Sequence, residues 1–182
     1  MRIWLVLFFH LMTGLQPYET TKYHGLISQR TPWDCGAAAA ATLLTLAGQE
    51  VEPRLTAPEG DGSISLAGLG RYLEGRGWSV VGYNLDWEQL LHFFTYFPTR
   101  PILAHRNLEQ GHYVVLLGLI EELLVVADPA SGVRAVPPDT FLEDFSGYIL
   151  YFPELNALST VEKILASVAN RLRLLRQSVA EF

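Results

Sequence analysis

The chain predicts an α+β domain, and three observations carry that expectation. Helix-forming stretches fill its first half, apolar β-rich runs follow one another in its second, and neither an internal repeat nor a low-complexity linker divides them. With 182 residues, 49% of them apolar and 18% charged, it has the size and composition of one globular domain able to bury a core.

The first fifteen residues stand apart. Arg2 precedes an apolar stretch from Ile3 to Leu15, interrupted by His10, Thr13 and Gly14. That is shorter than the roughly 20 residues that span a bilayer, and it suits the apolar core of a secretory signal. Residues 1–15 are therefore expected to be a signal peptide or short export anchor. The protein would then be periplasmic, extracellular or membrane-associated; if the stretch instead packs on the domain or reflects a misassigned start, the protein is expected in the cytoplasm.

The domain proper is expected over residues 16–153. Residues 16–34 are polar and irregular, with Pro17 and Pro32 as breakers. Cys35 to Leu46 is alanine-rich and helix-forming, with Asp34 offered as N-cap and Gly48 as the stop. Glu59 to Ser63 reads as a loop and Ser65 to Gly75 as a second helix. Trp78 to Tyr83 is strand-like, and Asp86 caps a third helix through Tyr96, whose packed face and exit carry Phe93, Phe94, Tyr96 and Phe97. Three β-rich runs follow: Pro101 to His105, His112 to Ile120 and Leu123 to Asp128. A short helix over Asp139 to Phe145 and a last strand over Tyr148 to Phe152 complete the domain.

Residues 154–182 form a tail of different character. Val161, Leu165, Val168, Leu172, Leu175, Val179 and Phe182 step alternately by four and three, the seam of a heptad helix, and Ser159 with Glu162 offers a capping box at its start. Three readings stay open for residues 159–182: a helix laid on its own domain, self-association along the seam, or contact with an anionic membrane surface through Arg171, Arg173 and Arg176.

Several function classes are disfavoured. A net charge of −6 without a basic stripe leaves no footprint for nucleic acid. The five histidines (His10, His24, His92, His105 and His112) stand at no metal-ligand spacing and there is no second cysteine, so no metal is expected. No Gly-x-x-x-x-Gly-Lys-Ser/Thr run is present to cradle a nucleotide phosphate, and no cofactor is expected.

The lone cysteine, Cys35, is the most informative residue. It opens a helix, where the field of the helix N-terminus favours the thiolate. Gly36 beside it leaves room for a carbonyl to approach the backbone N–H of Cys35. Gln29, six positions earlier across a loop with Pro32 and Trp33, supplies an amide suited to an oxyanion. A loop centred on Ile120 would make a hairpin that sets His112 opposite Asp128 on one face, the acid orienting the imidazole and the imidazole taking the thiol proton. Trp33 and His105 are candidate walls of the cleft. Each residue also has an ordinary structural reading: a buried small hydrophobe for Cys35, a solvated loop residue for Gln29, a strand-edge histidine for His112, an Asp-Pro turn former for Asp128, core or local roles for Trp33 and His105.

Taken together, Ser28-Gln29-Arg30-Thr31-Pro32-Trp33-Asp34-Cys35-Gly36-Ala37-Ala38, Gly111-His112-Tyr113-Val114-Val115-Leu116 and Ala127-Asp128-Pro129-Ala130-Ser131-Gly132 resemble the C39 peptidases. These papain-like cysteine proteases are best known as the N-terminal domain of bacteriocin-exporting transporters, where they cut leader peptides after Gly-Gly. The resemblance runs from about Gln29 to Phe152 and includes the Gly62-Ser63 loop, the Asp86-Trp87 helix start and the Pro101-Ile102-Leu103 strand. It implies a helical half carrying Cys35 packed on an antiparallel sheet carrying His112 and Asp128. It also implies Cys35 as nucleophile, His112 as general base and acid, Asp128 as orienting acid and Gln29 as oxyanion donor. The partner is then a peptide or precursor-protein substrate, handled by a stand-alone domain without transporter parts. A non-catalytic leader-binding module and a papain-like acyltransferase or amidase are the alternatives.

Overall fold

A computed structural model describes residues 22–49, 51, 64–155 and 158–180. The expected signal segment and the Glu59–Ser63 loop lie outside the described residues.

The β-rich runs assemble into one sheet of six strands: β1 (Val81–Asn84), β2 (Ile102–Arg106), β3 (His112–Ile120), β4 (Leu123–Asp128), β5 (Gly132–Val136) and β6 (Phe145–Tyr151). Their spatial order is β1-β6-β2-β3-β4-β5, and every neighbouring pair is antiparallel. Strands β3 and β4 have the expected limits. Strand β5 is an edge strand that the sequence reading passes over, and β6 starts at Phe145, inside the span assigned to a short helix.

The helices are α1 (Cys35–Leu46), α2 (Leu66–Glu74), α3 (Trp87–Tyr96), α4 (Pro138–Leu142) and α5 (Leu158–Ala180). Alternate side chains of each strand enter opposite cores. Leu103, Val115, Leu117, Val125, Ala127 and Leu150 pack with α1, α2 and the first half of α5. Ile102, Ala104, Val114, Leu116, Val126 and Ile149 pack with Leu90 and Phe94 of α3 and Phe141 of α4. A sheet covered on both faces has no solvated side, which is why β3 and β4 read as continuous apolar runs rather than alternating ones.

Helix α1 is central to this arrangement. Ala38, Ala39, Ala40 and Ala41 are all buried, and their small side chains let the helix lie close on the sheet. It ends in a Schellman motif: Gly48, at φ 75°, donates to the Thr45 carbonyl and Gln49 donates to Leu44. Ser65 caps α2 through the Gly68 N–H, and Asp86 and Gln89 form a reciprocal capping box at α3. Helix α5 begins at Leu158, so Ser159 lies in its first turn instead of capping it. Its Val161, Ile164 and Val168 are buried on the domain, whereas Leu174 and Leu175 are 61% and 57% exposed. The heptad seam is thus used first against the chain's own sheet. Among the described residues, no helix is long and apolar enough to cross a membrane.

Candidate active site

The topology brings Cys35, His112 and Asp128 together from the start of α1, the start of β3 and the end of β4. All three are buried. The hairpin does so by a different register from the expected one. Its turn falls at Glu121 and Glu122, between the paired residues Ile120 and Leu123, and the ladder shifts between Leu116 and Gly118. Beyond that bulge Val115 pairs with Ala127, which sets Asp128 beside Val114 and one pleat along from His112, on the same face.

His112 Nε2 donates to Asp128 Oδ1 at 3.0 Å, leaving the other ring nitrogen for the Cys35 sulfur. Burial pushes the Cys35 thiol up, but the hydrogen bond from His112, the N–H groups of Tyr113 and Gly36 and the imidazolium charge outweigh it and hold the thiol below its ordinary value. Burial alone would discharge His112. Hydrogen bonds to Asp128 and Cys35, with their charges, instead raise it to about 9. Burial likewise opposes the Asp128 carboxylate, and the His112 hydrogen bond and charge, with the Ala130 N–H at 2.8 Å, hold it well below the usual carboxylate range. Arg134 Nη2 approaches the second carboxylate oxygen at 3.3 Å. Both shifts run in one direction, favouring thiolate and imidazolium over the neutral pair.

The remaining sequence candidates take varied places. Gln29 donates its side-chain amide to the Thr31 carbonyl at 3.0 Å, and its backbone N–H to Pro129, directly after the acid, at 2.9 Å. Among the described contacts its amide touches neither Cys35 nor His112. Asp34 makes no side-chain cap to α1; its carboxylate accepts from the Arg30 and Thr31 N–H groups, folding the Gln29–Trp33 loop back on itself. Gly36 is also held small by packing. A Cβ there would lie 2.7 Å from Ile64 Cγ2 and 3.1 Å from the Tyr113 ring, so close packing of the helix start excludes a side chain.

A cleft of about 220 Å³ opens above Cys35, walled by Trp33, Ile64, Ser65, His105, Gln110 and Tyr113. Trp33 and His105 both line it. The His105 ring lies tilted against Tyr113 with centroids 5.1 Å apart, and burial and the neighbouring His112 charge lower its pKa from the ordinary value. Tyr113, Gln110, Ile64 and Arg134 were not singled out from sequence. Tyr113 alone had a usable signal, its place beside His112. Among the described residues, no group of three His, Cys, Asp or Glu side chains is placed to hold a metal ion.

A family model described as the peptidase C39 family matches residues 24–156. The chain belongs to that family. It is 26% identical over 149 residues to a probable functional amyloid protease FapD of Pseudomonas aeruginosa, across 74% of this chain and 63% of that protein. To the FapD of Pseudomonas fluorescens it is 26% identical over 139 residues, across 70% and 60%. The chain thus spans less than two thirds of the length of these relatives. Among solved structures it is similar to a double glycine motif protease from an AMS/PCAT transporter in complex with the leader peptide, at 25% identity and a TM-score of 0.60, covering 70% of this chain and 89% of that one. The peptidase domain of Streptococcus ComA has the same fold at 19% identity and a TM-score of 0.63, covering 70% and 96%. The domain therefore has the papain-like α+β fold.

Proposed function

We propose that this chain is a cysteine endopeptidase that cleaves a leader or precursor peptide, with Cys35, His112 and Asp128 as its working residues. The observation that carries this reading is the imidazole bridge, with one His112 nitrogen on Asp128 at 3.0 Å and the other turned to the buried sulfur. In the first half-reaction the Cys35 thiolate attacks the scissile carbonyl carbon. The oxyanion is taken by the Cys35 backbone N–H and by Gln29, whose amide has a second N–H beyond the one given to Thr31. The C–N bond breaks as the imidazolium of His112 passes its proton to the leaving amine. Neutral His112 then takes a proton from water, whose oxygen attacks the thioester carbonyl; the C–S bond breaks, the acid is released, and the Cys35 thiolate and His112 imidazolium are restored.

Cleavage after Gly-Gly is the specificity this reading favours. It is supported by the similarity to the double glycine motif protease. If residues 1–15 act as a signal, the substrate is met outside the cytoplasm. The test is incubation of the full chain with peptides carrying Gly-Gly, Gly-Val or Val-Val before the cut, with products identified by mass spectrometry. Cleavage after Gly-Gly alone, abolished by Cys35→Ala, is the expected result. Capture of the peptide without cleavage would instead favour a leader-binding module, and a conjugate formed with an added amine would favour acyl transfer.

A further inference from the structure

Residues 22–29 cross from α1 to the turn that follows Asp128. The Tyr23 hydroxyl donates to the Ala130 carbonyl at 3.2 Å. Lys22 lies so close to Gly132, at φ 89°, that a Cβ there would come within 2.7 Å of the Lys22 carbonyl oxygen. Leu26 shares a core cluster with Ala127 and Val133, Ile27 and Pro129 line the same crevice, and the Ile27 N–H donates to the buried Thr42 hydroxyl of α1 at 3.1 Å. At the far end the Gln29 N–H donates to the Pro129 carbonyl at 2.9 Å.

The Pro129 carbonyl and the Ala130 N–H belong to one peptide plane. That N–H is the group that holds Asp128 Oδ1 at 2.8 Å, the same oxygen that receives His112. A hydrogen bond accepted at the carbonyl both fixes this plane and polarises the N–H it presents to the carboxylate. Tyr23 fixes the next plane of the same turn. We infer that the segment from Lys22 to Gln29 is a strap that positions Asp128, and that Tyr23 is a positioning residue for the reaction, acting through Ala130. This rests on the reading of Cys35, His112 and Asp128 as the working residues. The strap ends where the Cys35 loop begins: the Gln29 N–H holds the acid's turn while its side-chain amide is bonded to the Thr31 carbonyl at 3.0 Å.

The consequence is electrostatic. The groups facing the His112–Asp128 pair are Cys35 from α1, Arg106 and His105 from β2, Tyr113 from its own strand and Arg134 from β5. Arg106 stands opposite His112 in the ladder but is engaged by Asp144 through two contacts of 2.6 Å. A displaced Asp128 therefore weakens the support of the imidazolium, and with it the thiolate.

The test is the rate of iodoacetamide alkylation of Cys35 from pH 4 to 10, with kcat and KM on a cleaved peptide, in wild type, Tyr23→Phe, Gly132→Ala and His112→Ala. For Tyr23→Phe the alkylation midpoint is expected to rise by about half a pH unit, partway to that of His112→Ala. Its kcat should fall about three- to tenfold with KM within twofold and the fold intact by circular dichroism. Gly132→Ala, which pushes on the strap from the other side, should move the midpoint in the same direction. A Tyr23→Phe profile that overlays wild type would overturn the positioning role, whatever the melting temperature does. A wild-type thiol insensitive to His112→Ala would instead overturn the proposed function itself.

Discussion

His112 and Asp128 share one face of the sheet because Leu117 is an extra residue in β3. From the turn, Ile120 pairs with Leu123 and Gly118 with Val125; continued without interruption, that register would place Asp128 opposite Val115, on the face away from His112. The bulge at Leu117 shifts the ladder by one, and Val115 meets Ala127 instead. Side chains alternate strictly along a strand, so one inserted residue decides whether the acid can reach the imidazole.

Gly118 is what makes that bulge tolerable. It has φ 146°, and a Cβ would lie 2.5 Å from the Pro98 carbonyl oxygen, a backbone atom that cannot rotate away. Gly118→Ala is expected to cost about 1–3 kcal/mol of stability. It should also lower Cys35 reactivity at pH 6, as the register loosens. Urea denaturation followed by fluorescence, with alkylation on the same samples, measures both; an unchanged urea midpoint would count against the bulge as a constrained feature.

The pKa of His112 gives the pH dependence its sign. Folded His112 holds its proton up to about 9, against 6.5 in the unfolded chain. Its contribution to stability is fully present below pH 6.5 and is lost as pH rises through about 9. Asp128 works in the other direction: its contribution is present above the unfolded value of 3.8 and is lost in acid, as pH falls through the lowered folded value. The ion pair therefore supports the fold between these limits. Asp128→Asn should flatten the fall in urea midpoint between pH 7 and 10 and raise the alkylation midpoint of Cys35. A wild-type midpoint that does not fall across that interval would contradict the assignment.

Asp34 offers a test of the loop that carries Gln29. Its carboxylate accepts the Arg30 and Thr31 N–H groups at 3.1 and 3.0 Å, and both bonds are solvent-exposed. Exposed hydrogen bonds contribute little to global stability but do fix local geometry. Asp34→Ala is expected to leave the melting temperature within a few degrees while lowering kcat on a cleaved peptide about five- to twentyfold. An unaltered kcat would detach this loop from the oxyanion role.

Much of this was legible in the sequence, and the exceptions have physical causes. The limits of α1, β3 and β4 could be read because their end signals are local: Gly48 beyond the helix, Gly111 before His112 and Pro129 after Asp128. Strand β5 was missed because Gly132 and the exposed Arg134 look like a continuation of the Asp-Pro turn, and edge strands need only a short apolar run. The bulge left no mark, since both faces of β3 are buried and an apolar run carries no phase in which a one-residue slip could be seen. Asp34 stands at the N-cap position as expected, but its carboxylate is turned back to the Arg30 and Thr31 N–H groups of the preceding loop, a local competition the sequence pattern does not resolve.

The tail supplies the last test, because its seam changes role along its length. Val168 is 5% exposed and packs on the sheet, whereas Leu175, one heptad later, is 57% exposed. Arg176 pairs with Glu121 of the β3–β4 turn at 2.8 Å, so the helix stays beside the domain past the point where burial ends. A polar group placed at Val168 loses its apolar burial and gains no partner, which costs about 2–4 kcal/mol; at Leu175 the same change stays in water and costs about 0.5 kcal/mol or less. Val168→Ser should lower the melting temperature by several degrees and Leu175→Ser should leave it unchanged. If the exposed half instead serves self-association, Leu175→Ser will also lower the mass measured by sedimentation equilibrium and make the melting temperature independent of protein concentration. A stable Val168→Ser variant would mean that the first half of the seam is not held on the sheet.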